Sequence, residues 1–133
     1  MMDNLNIVKG VYAALGAGDI PAVLARLTPE TVWNEAENFP IAAGNPYIGP
    51  DAILAGVFAW LGSAWDGFAA TPHAYIDGGG SIVVEGRYTG SFKATGKAID
   101  AQFVHVWTLA DGSITRFQQY TDTLQSFRAT QAG

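Results

Sequence analysis

The chain has 133 residues, 49% apolar and 12% aromatic, with seven Lys or Arg against twelve Asp or Glu for a net charge of -5. That length suits one domain, spanning residues 1–133, around a single core, and the lack of any basic cluster excludes nucleic acid, whose phosphates need several grouped cations. No apolar run approaches a membrane span or a signal-peptide core, and without cysteine there is neither disulfide nor thiol chemistry, so a cytoplasmic protein is the expectation.

Leu5, Val8, Tyr12 and Leu15 recur at three- and four-residue intervals and predict an amphipathic first helix ended by Gly16 and Gly18. Asp19 is placed to cap a second short helix. Pro21 falls in its first turn, Val23, Leu24 and Leu27 face inward, and Pro29 stops it. Thr31-Val32-Trp33-Asn34-Glu35 is short and β-prone and predicts the first strand. The Asn-, Pro- and Gly-rich stretch from Asn38 to Gly49 is expected to be loop. Pro50 and Asp51 open a third helix, with Ile53, Val57, Trp60 and Leu61 on one stripe. Phe68 to Asp77 predicts the second strand, turning at Asp77-Gly78-Gly79-Gly80.

A three-strand meander follows: Ile82 to Tyr88, then Phe103 to Thr108 beyond a turn at Thr95-Gly96-Lys97, then Ile114 to Tyr120 beyond a turn at Ala110 to Ser113. Asp122 is expected to cap a last helix through Phe127. Helices first and a mostly antiparallel sheet after them give an α+β fold with the helices on one sheet face. Alternation puts Ala101, Phe103, His105 and Trp107 on one face, with Gln102, Val104, Val106 and Thr108 on the other. Glu85, Arg87, Arg116 and Gln118 join Val83, Val104 and Val106 on that outer face, a half-polar surface suited to a homodimer interface.

His105 is the strongest candidate for chemistry, because imidazole titrates near neutral pH and a half-buried ring is easily tuned. A core histidine bonded to a backbone or tyrosine group is the competing reading. Glu35, flanked by Trp33 and Phe39, is a carboxylate that desolvation would raise toward a useful pKa, or else a solvated strand end; Glu37 is its neighbour. Gln119 should share a face with Phe117 and Thr115 and offer an orienting hydrogen bond. Trp33, Tyr47, Phe58, Trp60, Phe103 and Trp107 are either simple core or the walls of a pocket for a planar apolar ligand. His73, beside Pro72, reads as surface, and a second histidine so far from the first leaves no zinc set. Gly78-Gly79-Gly80 lacks the helix and Lys-Ser/Thr pair of a phosphate loop, and no Gly-x-Ser-x-Gly elbow exists.

Ala17-Gly18-Asp19-Ile20, Pro29 to Trp33, Tyr47-Ile48-Gly49, Glu85 to Gly90, Thr95-Gly96-Lys97, His105 to Gly112 and Tyr120-Thr121-Asp122 span nearly the whole chain. Together they resemble the SnoaL-like, ketosteroid-isomerase-related branch of the NTF2-like superfamily. The resemblance implies a cone in which three N-terminal helices pack on a curved, mostly antiparallel sheet. In the ketosteroid isomerases an aspartate on the first strand moves the proton, while a tyrosine and a protonated acid hold the oxyanion. Those positions fall here on Asn34, with Glu35 and Glu37 beside it, on Val11, with Tyr12 one residue away and expected to point elsewhere, and on His105. The SnoaL-type polyketide cyclases carry a histidine matching His105 and an acid/base aspartate that falls on Gln119.

What the resemblance implies is a cofactor-free protein without metal that takes a small hydrophobic ligand between its helices and its sheet. As an enzyme it would move a proton next to a carbonyl, in isomerisation or aldol-type cyclisation. His105 would be the acid/base, Glu35 its partner, and Gln119 and Asn34 donors to the oxyanion. The rival function is a non-catalytic binding module for an apolar molecule, and a third is a dimerisation domain with a filled core.

Overall fold

A computed structural model of the chain describes residues 2–133. Its centre is one curved, open six-stranded sheet in the order β2-β1-β6-β5-β4-β3. The strands are β1 (Leu27–Asn34), β2 (Tyr47–Ile48), β3 (Trp65–Asp77), β4 (Ser81–Phe92), β5 (Ala98–Ala110) and β6 (Ser113–Thr121). All neighbouring pairs are antiparallel except β1 with β6. Helices α1 (Asn4–Gly16) and α2 (Ile20–Leu24) precede the sheet, and α5 (Thr123–Thr130) follows it. Between β2 and β3, α3 (Gly49–Ile53), a π-helical turn (Leu54–Phe58) and α4 (Ala59–Ala64) run on without a break. The expected α+β architecture is the one observed.

Local chemistry explains the helix starts. Asp3, Asp19 and Asp122 each accept a backbone N–H of the first turn, from Asn6, Ala22 and Gln125 respectively. The second helix is shorter than predicted. It ends at Leu24, and Leu27 opens β1 instead of closing a helix. Pro29 therefore lies inside a strand, at a bulge between Leu27 and Val32 where the Thr28 N–H donates to Thr31 Oγ1. A bulge tolerates the missing proline N–H. The predicted loop at Asn38–Gly49 contains the two-residue strand β2, too short to leave a pattern.

The meander keeps its predicted turns and faces. Phe103, His105 and Trp107 are buried, and Gln102 on the opposite face is exposed. A second bulge corrects one expectation: Thr108 pairs with Arg116 and Leu109 with Ile114, so Thr115 is skipped. Ile114, not Thr115, joins Phe117 and Gln119 on the inner face. On the outer face Arg87 is ion-paired with Asp100 at 2.7 Å, while Glu85 is exposed. Gly86 is needed in its strand, since a Cβ there would meet Thr71 O at 2.3 Å and the Phe103 ring at 2.5 Å.

Candidate functional site

The inner face of the sheet and the helices enclose a cavity of about 430 Å³. Trp33, Phe39, Val57, Phe58, Trp107 and Phe117 are part of its apolar wall, and the lining glycines Gly16, Gly18, Gly62 and Gly67 are exposed. Glu35 is the one charged side chain of the lining.

Strand alternation brings Trp33 and Glu35 inward and turns Asn34 out, next to Gln118. Glu35 is only 4% exposed. Asn45, which no sequence pattern singled out, clamps its backbone: Oδ1 accepts the Glu35 N–H and Nδ2 donates to the Glu35 carbonyl, both at 2.9 Å. The carboxyl itself is poorly served. Oε1 accepts a long bond from Trp33 Nε1 at 3.4 Å, and Oε2 is buried with no partner. Burial pushes the carboxyl from 4.5 up to about 7, against the smaller pull of the Trp33 N–H. It is therefore poised to change charge near neutral pH.

His105 sits deeper, in a chain of buried polar groups. Its Nδ1 lies 2.5 Å from the Tyr12 hydroxyl and its Nε2 2.5 Å from the Tyr88 hydroxyl. Phe103 stacks on the ring at 4.0 Å between centroids. Desolvation holds the imidazole down at about 3, so it is uncharged at neutral pH. Both nitrogens are occupied, and neither is free to meet a substrate. Tyr12, expected to point elsewhere, closes this chain by also accepting the Trp107 indole N–H at 3.0 Å. Its position on the apolar stripe with Val8 and Leu15 was the signal that could have placed it.

Counting protons leaves the chain two possible polarities. Gln119 accepts the Ala36 N–H through Oε1 at 3.0 Å, so its Nε2 donates to the Tyr88 oxygen at 2.9 Å. Each tyrosine oxygen thus already accepts one bond, and a neutral imidazole brings one N–H. One hydroxyl proton is left over. With the proton on Nδ1, Tyr12 would hold the spare, facing Tyr75 and other rings. With it on Nε2, Tyr12 donates to Nδ1 and the spare belongs to Tyr88, which lines the cavity as Tyr12 does not. Burial, and then the charge of Glu35, raise the Tyr88 hydroxyl well above its ordinary pKa, so it is a hydrogen-bond donor that keeps its proton.

Of the residues proposed from sequence, His105, Glu35, Trp33, Phe58, Trp107 and Gln119 line the cavity, and Phe103 backs His105 from behind. Three do not. Asn34 belongs to a separate groove with Glu37 and Gln118, which Glu35 also borders. Tyr47 donates its hydroxyl to the Ile41 carbonyl and lays its ring over Gly44 and Gly56. Trp60 packs on Phe39, Trp65 and Phe92. Glu37 is exposed. Among the described residues no cluster of His, Asp or Glu could hold a metal ion, and no helix is long and apolar enough to cross a membrane.

Comparison with solved structures agrees with this architecture. An NTF2-like protein from Burkholderia thailandensis is 37% identical over 98% of this chain and 99% of its own, with a TM-score of 0.94. TerC, co-crystallised with polyporic acid, is 26% identical over 95% of this chain and 96% of its own, with a TM-score of 0.79. A SnoaL-like polyketide cyclase candidate from Jannaschia sp. is 23% identical over 98% and 92% of the two chains, with a TM-score of 0.82, a likeness of fold. No functionally curated protein matches the sequence. The SnoaL-like domain model matches residues 8–117, and the chain belongs to the SnoaL-like family of the NTF2-like fold.

Proposed function

We propose that the protein catalyses cofactor-free proton transfer at a carbon next to the carbonyl of an apolar molecule. The observation that carries this reading is Glu35: a buried carboxyl with an unpartnered oxygen, raised to about 7, in the wall of an apolar cavity. Its carboxylate takes a proton from the carbon beside the carbonyl. The electrons of that C–H bond move to the carbonyl oxygen, which Tyr88 meets with its spare O–H. The Glu35 carboxylic acid then returns the proton to the far carbon of a dienolate formed from a substrate with a neighbouring C=C (isomerisation), or the enolate carbon attacks a second carbonyl within the same molecule and the acid protonates the alkoxide so formed (aldol-type cyclisation).

His105 is here a positioning residue. It holds Tyr88 through Nε2 while Tyr12 holds it through Nδ1, and the acid/base role expected of the imidazole passes to Glu35. Gln119 fixes Tyr88 from the other side. A positioned base contributes typically 10²–10⁴ in rate and an oxyanion donor about 10²–10³. Polyporic acid bound to TerC supports a site for small organic molecules in a relative of this chain. The half-polar outer sheet face is taken as a homodimer interface.

The test needs no natural substrate. Exchange of the α-protons of 1-tetralone in D₂O, followed by proton NMR, should be accelerated by the wild type. Glu35→Gln should lose about 10²–10⁴ of the acceleration. Exchange indifferent to this substitution would sink the reading. Binding of the ketone with no exchange at all would favour the second function, a non-catalytic binder of apolar molecules, which the locked imidazole also suits.

A further inference from the structure

Two side-chain polar atoms among the described residues are buried without a hydrogen-bond partner: Glu35 Oε2 and Trp65 Nε1. Both residues line the same cavity. Proton transfer uses the first and leaves the second idle. Buried polar groups in folded proteins are nearly always paired, so an orphan in a cavity wall marks a partner that comes from outside the chain.

Trp65 is 2% exposed and opens β3, paired with Phe92. Its ring is wedged among Trp60, Phe68 and Phe92, with centroids at 5.8, 5.5 and 5.0 Å. So held, the indole cannot swing to find an acceptor within the protein. An indole N–H only donates, which makes the missing partner an acceptor. The other indole and amide donors of the lining are committed: Trp33 to Glu35, Trp107 to Tyr12, Gln119 to Tyr88.

We propose that Trp65 Nε1–H is a second recognition point of the site, donating to a substrate oxygen remote from the reacting carbonyl; this rests on the cavity being the ligand site described above. The substrate class follows. The Phe68 ring contacts both donor residues, with its centroid 5.2 Å from that of Tyr88 and 5.5 Å from that of Trp65. The two acceptor oxygens are therefore set apart by a ring system and not adjacent on one carbon. No Lys or Arg lines the cavity, and its single charged side chain is acidic, so neither oxygen belongs to a carboxylate or phosphate. The substrate is an uncharged, largely flat molecule with carbonyl, ether or hydroxyl oxygens at opposite ends.

A matched pair of probes tests this: 6-methoxy-1-tetralone and its isostere 6-ethyl-1-tetralone, titrated calorimetrically into wild type and Trp65→Phe. The wild type should prefer the methoxy compound by roughly fivefold to tenfold, the worth of one hydrogen bond, and the variant should show no preference. Equal affinities in the wild type, or a variant that weakens both probes alike, would overturn the role of Trp65. A measurement on the wild type guards against a variant that folds poorly. In ¹H–¹⁵N spectra the Trp65 indole proton should move downfield with the methoxy probe and stay put with the ethyl one; identical shifts count against the proposal. If neither probe binds, the ligand site falls and Trp65 with it. If the methoxy preference depends on Trp65 while Glu35→Gln leaves α-proton exchange unchanged, recognition stands and proton transfer by Glu35 does not.

Discussion

Tyr12 on the first helix and His105 on the fifth strand, 93 residues apart, meet with 2.5 Å between hydroxyl and Nδ1. The contact ties the helical layer to the sheet at the back of the cavity. The direction of this bond, set by which imidazole nitrogen carries the proton, determines whether Tyr88 has a proton to offer a ligand.

Tyr12→Phe removes the partner of both Nδ1 and the Trp107 N–H. Leaving buried groups unsatisfied costs about 1–3 kcal/mol each, so chemical denaturation should show a loss of at least that size. The wild type should give ¹⁵N shifts of a neutral ring protonated at Nε2. In Tyr12→Phe, Nδ1 loses its donor and the ring becomes free to accept from Tyr88 instead, which should raise the population of the other tautomer. An Nδ1-protonated wild type would place the spare hydrogen on Tyr12 and leave Tyr88 none to offer a ligand.

His105 and Glu35 pull the pH dependence of stability in opposite directions. Burial lowers His105 from 6.5 to about 3, so between these values the unfolded chain binds a proton that the folded chain refuses. This contribution is full above pH 6.5 and drains away as pH falls toward 3. Glu35 is raised from 4.5 to about 7, and here the folded chain keeps the proton; its contribution is full below pH 4.5 and is lost as pH rises through 7. The two slopes oppose between pH 4.5 and 6.5. No other charged side chain lines the cavity; Tyr88 bonds His105 and feels the charge of Glu35, and Gln119 bonds Tyr88. Urea unfolding across pH should therefore show a near-flat stretch from 4.5 to 6.5 in the wild type. Glu35→Gln should turn that stretch into a rise of roughly 1.4 kcal/mol per pH unit. A flat profile in the variant would remove the buried neutral imidazole from this account. Proton exchange, if Glu35 is the base, should climb through pH 7 and level off above it.

The outer face of the sheet sets Val83, Val104 and Val106 beside Ile76 and Tyr120, each of the last two 54% exposed. Charge on this face is confined to groups such as the Arg87–Asp100 pair, Glu85 and Arg116. Sedimentation should give the mass of two chains for the wild type and of one for Val104→Arg, with the Trp65 and Tyr12 environments unchanged. A wild type that sediments as one chain at high concentration would rule out the interface.

Much of this protein was written in local spacing. The stripe from Leu5 to Leu15, the capping aspartates and the alternation around His105 specify helices, strands and faces, because each depends only on residues a few positions apart. The same rule puts Glu35 on the face of Trp33, but leaves open whether it is buried in the cavity wall or solvated at a strand end. What the spacing could not supply was partners. Whether His105 titrates freely or is pinned depends on Tyr12 and Tyr88, brought to it by helix packing and by the register of β4 on β5. The clamp from Asn45 to Glu35 comes out of a loop without periodicity. The irregularity at Thr28–Thr31 shifts register by three residues, and the bulge at Thr115 shifts it by one, enough to exchange Thr115 for Ile114 on the inner face. The idle N–H of Trp65 appears only once every neighbour is in place. Periodicity fixes which side a residue faces; hydrogen-bond satisfaction, and with it the pKa of a buried group, belongs to the whole packed structure.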